Sequence, residues 1–322
     1  MRAFLDDFGL DAFEQGGRLY GRAGDGRAFV HVTEPGAARF LALGLRAASR
    51  EDLERLAAHE GVVVEDSDEP GGGRIVRLMD PDGYRVEVVA GQALGEAAAP
   101  VADCPRNTAT AHSRVRAAVG LDPAPAHVRR IGHAVLKVRD FRVSVRWYKD
   151  RFGFLTLDEV EAAEDLALGA FLRCDLGERP ADHPTLFLAQ LPGTLGLLHA
   201  AFEVANLDDL MLGHQHLKAA GRTAAWGVGR HIMGGQVFDY WKDPFGNELE
   251  HWTDGDLFTA VDPPQVQPTK ALLAVQWGSL HPMTKGWLPP PSGLVAFITA
   301  LNLRLRLRLR LLLRHNPKES AT

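Results

Sequence analysis

Cysteine is nearly absent from this chain of 322 residues: Cys104 and Cys174 are the only two. With no CxxC pair they offer neither a disulfide framework nor a thiolate metal site, and a reducing cytoplasm is the expected setting. Neither sign of charge dominates, since 36 basic residues stand against 41 acidic ones, for a formal net charge of −5. That balance excludes a basic nucleic-acid footprint and an acidic solvating chain, so no nucleic-acid partner is expected. No window of about 18 apolar residues is free of charge, which leaves no candidate membrane helix. Acids in the opening MRAFLDDFGLDAF stand where an export signal needs a basic and then an apolar run, so no export is expected. What is plentiful is ordinary core material: 46% of residues are apolar and 24% charged, the balance of a globular protein.

Composition and turn signals cut the chain into four stretches. Residues 1–95 and 129–258 both alternate strand and helix patterns, residues 96–128 are small, polar and linker-like, and residues 259–322 begin Pro-rich. The last stretch ends in LNLRLRLRLRLLLR (301–314), a low-complexity Leu/Arg tail that takes no part in the fold argument.

The two structured stretches read as copies. RWYKDRFGF (146–154) aligns with RAFLDDFGL (2–10), FEVANLDDL (202–210) with LRAASREDL (45–53), and KDPFGNELEHWTDG (242–255) with MDPDGYRVEVVAGQ (79–92). Each DPxG turn is followed four residues after its Gly by a glutamate, Glu87 or Glu250. The second copy reads strand (IGHAVLKV), helix (VSVRWYKDRFG) and short strands to HPTLFLAQ. It then reads strand (LLHAAFEV), helix (DDLMLGHQHLKAAG) and the strands GRTAAWGV, QVFDYW and NELEHW. That is βαβββ twice, an α+β fold in which tandem modules pair into two domains, each a curved mixed sheet around a cup. The first copy follows the same scheme without its opening strand.

His133 and His199 fall in the first strands of the two βαβββ units of the second copy, and Glu250 in the last strand of the second unit. Side chains alternate across a strand, so all three can face one cup. Two imidazoles and a carboxylate suit a facial triad for Fe(II) with open positions for substrate and dioxygen, and Mn(II) fits the same donors. In the first copy Ala42 aligns with His199 and only Glu87 remains, so that copy is expected to be structural and metal-free. His214 and His216 do not share a helix face. His251 alternates away from Glu250 and is expected to point out of the cup, while His127, His281 and His315 lie in linker or tail.

On these residues the stretch 129–256 resembles the type I extradiol ring-cleaving dioxygenases of the vicinal oxygen chelate superfamily. GRH with His231, then Tyr240, Asp243, Pro244, Gly246 and Glu250, follow that family's signature, with nine residues from His231 to Tyr240 and ten from Tyr240 to Glu250. Asp239 departs from it, because the family prefers an apolar residue before the tyrosine. The resemblance implies that His133, His199 and Glu250 ligate the metal. It further implies that His231 and Tyr240 hydrogen-bond substrate and oxygen intermediates, and that His183, sixteen residues before His199, serves as acid–base. Phe238, on the Tyr240 side of its strand, is expected to wall a ring pocket.

The implied reaction inserts both atoms of O2 into an aromatic diol beside its hydroxyls, in aromatic-compound degradation. A redox-active metal is needed because triplet dioxygen and a singlet diol do not combine directly. A soluble homo-oligomer with no membrane partner is expected. Two other readings share the fold: a metal-dependent glyoxalase-like isomerase or thiol transferase, and a metal-free small-molecule-binding resistance protein.

Overall fold

The computed structural model describes residues 1–102, 105–116, 123–164 and 166–282; Cys104, His315 and the Leu/Arg repeat lie outside the described residues. The described part of the chain consists of four successive modules and a terminal segment. The first holds α1 (Arg2–Phe8), β1 (Asp11–Gln15), β2 (Arg18–Arg22) and β3 (His31–Thr33), and the second β4 (Ala42–Arg46), α2 (Arg50–Glu60), β5 (Glu65–Asp66), β6 (Arg74–Met79) and β7 (Arg85–Ala90). In the third, β8 (Val128–Lys137) and α3 (Phe141–Phe152) precede β9 (Leu155–Ala163), β10 (Leu166–Arg173), β11 (Ala181–Asp182) and β12 (Leu186–Ala189). The fourth runs β13 (Gly196–Val204), α4 (Leu207–Ala219), β14 (Thr223–His231), β15 (Val237–Lys242) and β16 (Glu248–Thr253). Beyond it come β17 (Leu257–Phe258), β18 (Gln265–Pro268), α5 (Thr269–Leu272) and β19 (Val275–Gly278).

Local chemistry fixes these boundaries. Asp140, Asn206 and Ser49 each turn a side-chain oxygen onto the first-turn amides of α3, α4 and α2, satisfying donors that a helix start leaves orphaned. The FG ends of α1 and α3 place Gly9 at φ 94° and Gly153 at φ 67°, in left-handed backbone that stops the helix. Gly9 has a second constraint, since a Cβ there would meet the Ala126 carbonyl oxygen. The two DPxG turns are built alike. Asp243 Oδ1 accepts from the Phe245 and Asn247 amides, and Asp80 Oδ1 accepts from those of Asp82 and Tyr84, while Gly246 and Gly83 adopt φ 90° and 86°. The DPFGN stretch is therefore a hairpin turn whose one carboxylate is taken up by backbone amides and the Asn247 side chain.

Within each complete module the first strand lies beside the last: β4-β7-β6-β5 in the second, β8 beside β12 in the third, β13 beside β16 in the fourth. Antiparallel pairing of β8 with β13 fuses the third and fourth modules into one ten-stranded sheet, ordered β18-β9-β10-β12-β8-β13-β16-β15-β14-β19. No opening strand precedes α1 among the described residues, and β1-β2-β3 and β4-β7-β6-β5 remain separate sheets. This is the vicinal oxygen chelate fold. Residues 265–278, read with the tail from composition, add a strand to each edge of the large sheet. Pro-rich flanks hide the two short apolar patterns QVQ and VQW from a periodicity reading.

Two cores are shared between the halves of the chain. Phe4, Leu5 and Phe8 of α1 pack with Phe202, Leu210, Trp241 and Leu249 of the fourth module. Leu53 and Leu56 of α2 pack with Leu136, Tyr148 and Leu172 of the third. Polar ties follow the same pairing: Tyr148 donates to Asp80, and Tyr84 donates to the Lys137 carbonyl.

Candidate metal centre and ring pocket

Three neighbouring strands meet at Ala201. It is the cross-strand partner of His133 on β8 and of Glu250 on β16, and His199 stands two residues along its own strand. Opposite residues on paired strands share a face, and so do residues two apart. The period-2 pattern alone therefore brings all three side chains over one methyl group. His133 Nε2 and His199 Nε2 lie 3.4 Å apart, and each is 3.3 Å from Glu250 Oε2. Three donors at the corners of a near-equilateral triangle occupy one face of an octahedron, the facial arrangement of a two-histidine, one-carboxylate centre. They form the one such cluster of metal-ligating side chains among the described residues.

The site's electrostatics fit a cation. Glu250 is fully buried, and neither of its carboxylate oxygens has a conventional hydrogen-bond partner. Burial alone would raise its carboxyl, but the surrounding imidazoles of His133, His199 and His231 hold it well below the ordinary carboxylate range. Burial pushes His133 below the usual imidazole value, against the pull of Glu250, which favours the neutral ring a metal needs. Lone pairs converging in a dry pocket are costly unless a positive charge sits among them.

Tyr240 is the β15 partner of Glu250 and lies on the same face. Its hydroxyl is 3.1 Å from His231 Nε2, which is itself 3.6 Å from Glu250 Oε1. Burial, and then the Glu250 charge, drive the Tyr240 phenol far above its ordinary value, so it remains a hydrogen-bond donor across the working pH range. Phe238, two residues before Tyr240, packs against the His231 ring at 4.2 Å. Trp226 completes this wall, 4.4 Å from Phe238 and 5.3 Å from Tyr240 between ring centres. Trp226 lies near the site in the sequence too, but β14 carries a register shift between Ala224 and Gly227, with Gly227 at φ 94°, and such a bulge keeps alternation from assigning its face.

His183 is buried on the cup side. It pairs with Asp158 Oδ2 at 2.8 Å and rests against Phe171 and Phe258; Phe171 clusters with Val135, two residues from His133. A Cβ on Gly234 would strike its ring. The structure thus joins His133, His199, Glu250, His231 and Tyr240 in one group and sets His183 behind the adjoining apolar wall. The remaining histidines go elsewhere. His251 is buried on the opposite face, stacked on Phe8 and bonded to its carbonyl. His214 pairs with Asp239, His216 with Asp7 and His127 with Asp209. The departure at Asp239 is explained here: its buried carboxylate accepts from the Trp241 indole and binds His214 behind the sheet.

The first copy keeps the register but not the donors. Gly44 opposes Glu87 as Ala201 opposes Glu250, which places Ala42 at the His199 position. Arg77 stands opposite Glu87 where Tyr240 stands opposite Glu250, and Arg77 and Arg85 approach Glu87 to 3.4 and 3.0 Å.

Residues 130–251 match the family described as the Glyoxalase/Bleomycin resistance protein/Dioxygenase superfamily. Metapyrocatechase 2 of Cupriavidus necator is 29% identical over 264 residues, covering 80% of this chain and 77% of its own. The manganese-dependent 2,3-dihydroxybiphenyl 1,2-dioxygenase of Geobacillus genomosp. 3 is 26% identical, covering 80% of this chain and 82% of its own. Among solved structures, the Mn(II)-bound glyoxalase of Novosphingobium aromaticivorans superposes with a TM-score of 0.70 at 26% identity, over 90% of this chain and 89% of that one. Fold, site and relatives together identify the chain as resembling the extradiol dioxygenases of this superfamily.

Proposed function

We infer that this chain is a metal-dependent extradiol dioxygenase that cleaves the ring of an aromatic diol beside its hydroxyls with O2. The observation that carries the inference is the triangle of His133, His199 and Glu250 with the His231–Tyr240 pair on its flank. His133, His199 and Glu250 would hold a divalent iron or manganese, which would supply Lewis-acid and redox chemistry there. The chain's own residues do the rest. Tyr240 donates its phenolic proton to a diol oxygen and orients the ring, with Trp226 and Phe238 forming one side of the slot. His231, within reach of both Tyr240 and Glu250, hydrogen-bonds the oxygen side of the site. His231 is also the better candidate to take and return the second diol proton, because His183, expected in that role from the resemblance, is tied to Asp158 and to the rings of Phe171 and Phe258, away from the three donors. The assembly expected is a cytoplasmic homo-oligomer, to be read by light scattering on purified protein.

A metal-dependent isomerase is the second reading, because a Mn(II)-bound glyoxalase shares the architecture. The two separate in one experiment. The protein is loaded anaerobically with Fe(II), Mn(II) or Zn(II), given catechol or 2,3-dihydroxybiphenyl, and then exposed to O2. Oxygen uptake and a yellow ring-fission product are expected with iron or manganese, not with zinc, and are expected to vanish in His199→Ala. Thiol-dependent turnover of another substrate, with no oxygen uptake on any diol, transfers the assignment to the isomerase.

A further inference from the structure

The terminal segment crosses the mouth of the cup. β18 pairs in parallel with β9 at one edge of the ten-stranded sheet, and β19 pairs antiparallel with β14 at the other. Six residues, 269–274, join them. Seven Cα steps span at most about 25 Å, so the two edges curl close to each other and the segment straps them together. Arg173, buried beneath Phe258, anchors the start of this strap by donating to the Thr259 and Asp262 carbonyls.

Two strap residues three apart touch opposite walls of the site. Leu272 packs into the cluster of Val135, Phe171 and Phe187, on the His133 side. Val275 packs against Trp226, Phe238 and Tyr240, on the other side. The strap is lightly held: α5 is four residues long, has no side-chain cap and buries no residue fully. Weak local anchoring of this kind marks segments that open and reclose.

We propose that Leu272 sets which ring substituents the site accepts, selecting diols with an alkyl or aryl group and refusing those with a carboxylate. This rests on the ring-cleaving reading of the site. The wall that Leu272 joins is hydrocarbon, with the one imidazole behind it, His183, tied to Asp158. Arg130 is engaged by Asp182 and Glu203 and Arg173 by backbone carbonyls, and Lys270, two residues before Leu272 on α5, is exposed to solvent on another face of that turn. A carboxylate brought there would lose its water without finding a partner, whereas an ethyl or phenyl group gains apolar contact.

The test pairs 4-ethylcatechol with 3,4-dihydroxyphenylacetate in the full-length, metal-loaded protein. It compares wild type, Leu272→Ala and Leu272→Arg, measuring kcat/KM aerobically and Kd anaerobically by tryptophan quenching. Wild type is expected to favour 4-ethylcatechol, and Leu272→Arg to move the preference toward the carboxylate by about tenfold or more, the scale of one pocket contact. Leu272→Ala is expected to weaken the preference without reversing it. Turnover with the same preference in all three proteins overturns the role of Leu272 and leaves the dioxygenase standing. Leu272-dependent binding without turnover upholds Leu272 and overturns the dioxygenase. A metal-loaded protein that binds neither diol overturns both.

Discussion

Glu87 and Glu250 hold the same register position in two sheets of one design, yet among the described residues only Glu250 stands within a cluster that could hold a metal ion. Arg77 and Arg85 neutralise Glu87 within hydrogen-bond range, whereas imidazoles surround Glu250 and leave its oxygens otherwise unpartnered. The difference lies in the neighbours rather than in the carboxylate. Metal content is the direct readout. Glu250→Gln or His199→Ala is expected to reduce the metal retained after gel filtration by about tenfold or more, as loss of a donor weakens such sites at least as much as loss of its supporting contacts. Glu87→Gln is expected to retain the wild-type amount by plasma mass spectrometry.

Tyr240→Phe removes a donor without changing the ring that packs on Trp226 and Phe238. Metal binding is therefore expected to persist while kcat falls by about 10²–10³-fold, the usual effect of deleting one preorganised donor. Equal metal content with unchanged kcat would show that the phenol does not touch the reacting diol.

The pair behind the sheet gives a pH signature away from the metal. The hydrogen bond to Asp239 lifts His214 above its ordinary imidazole value, against partial desolvation. A group raised on folding binds its proton more tightly in the native state. Its stabilisation is thus complete below the unfolded value of about 6.5 and fades as pH rises through the folded value. Melting temperatures of wild type and His214→Gln should differ most near pH 5.5 and converge toward pH 8. A gap independent of pH would contradict the charged pairing.

Phe8 links α1 to the back of the metal strand. Its ring stacks 3.8 Å from His251, and its carbonyl holds that imidazole. Phe8→Ala is expected to lower unfolding free energy in urea by about 3–5 kcal/mol, the range for a fully buried phenylalanine.

Much of this architecture is visible in the sequence because its determinants are local. The FG helix stops, the DPxG turns and the period-2 placement of His133, His199 and Glu250 each depend on a few adjacent residues, and the helix stops and turns recur in both copies. Trp226 lies near the site in the sequence, but the bulge between Ala224 and Gly227 means that alternation cannot assign it a face. The strap escaped for a different reason: β18 and β19 are defined by pairing with β9 and β14, more than a hundred and about forty-five residues earlier in the chain, and composition carries no trace of such partners. Asp239 looked like a flaw in a strand until His214 and Trp241 were seen to face it; its reason lies on an element that spacing alone does not locate.

The sharing of both cores gives the amino-terminal copy a part in the molecule apart from any chemistry of its own. Phe202, Trp241 and Leu249 back the strands that carry His199, Tyr240 and Glu250, and their apolar cover comes from α1. An excised carboxy-terminal half would present these side chains to water as an adhesive surface. The amino-terminal copy thus serves its partner as a fixed shield, keeping the rear of the carboxy-terminal sheet out of water.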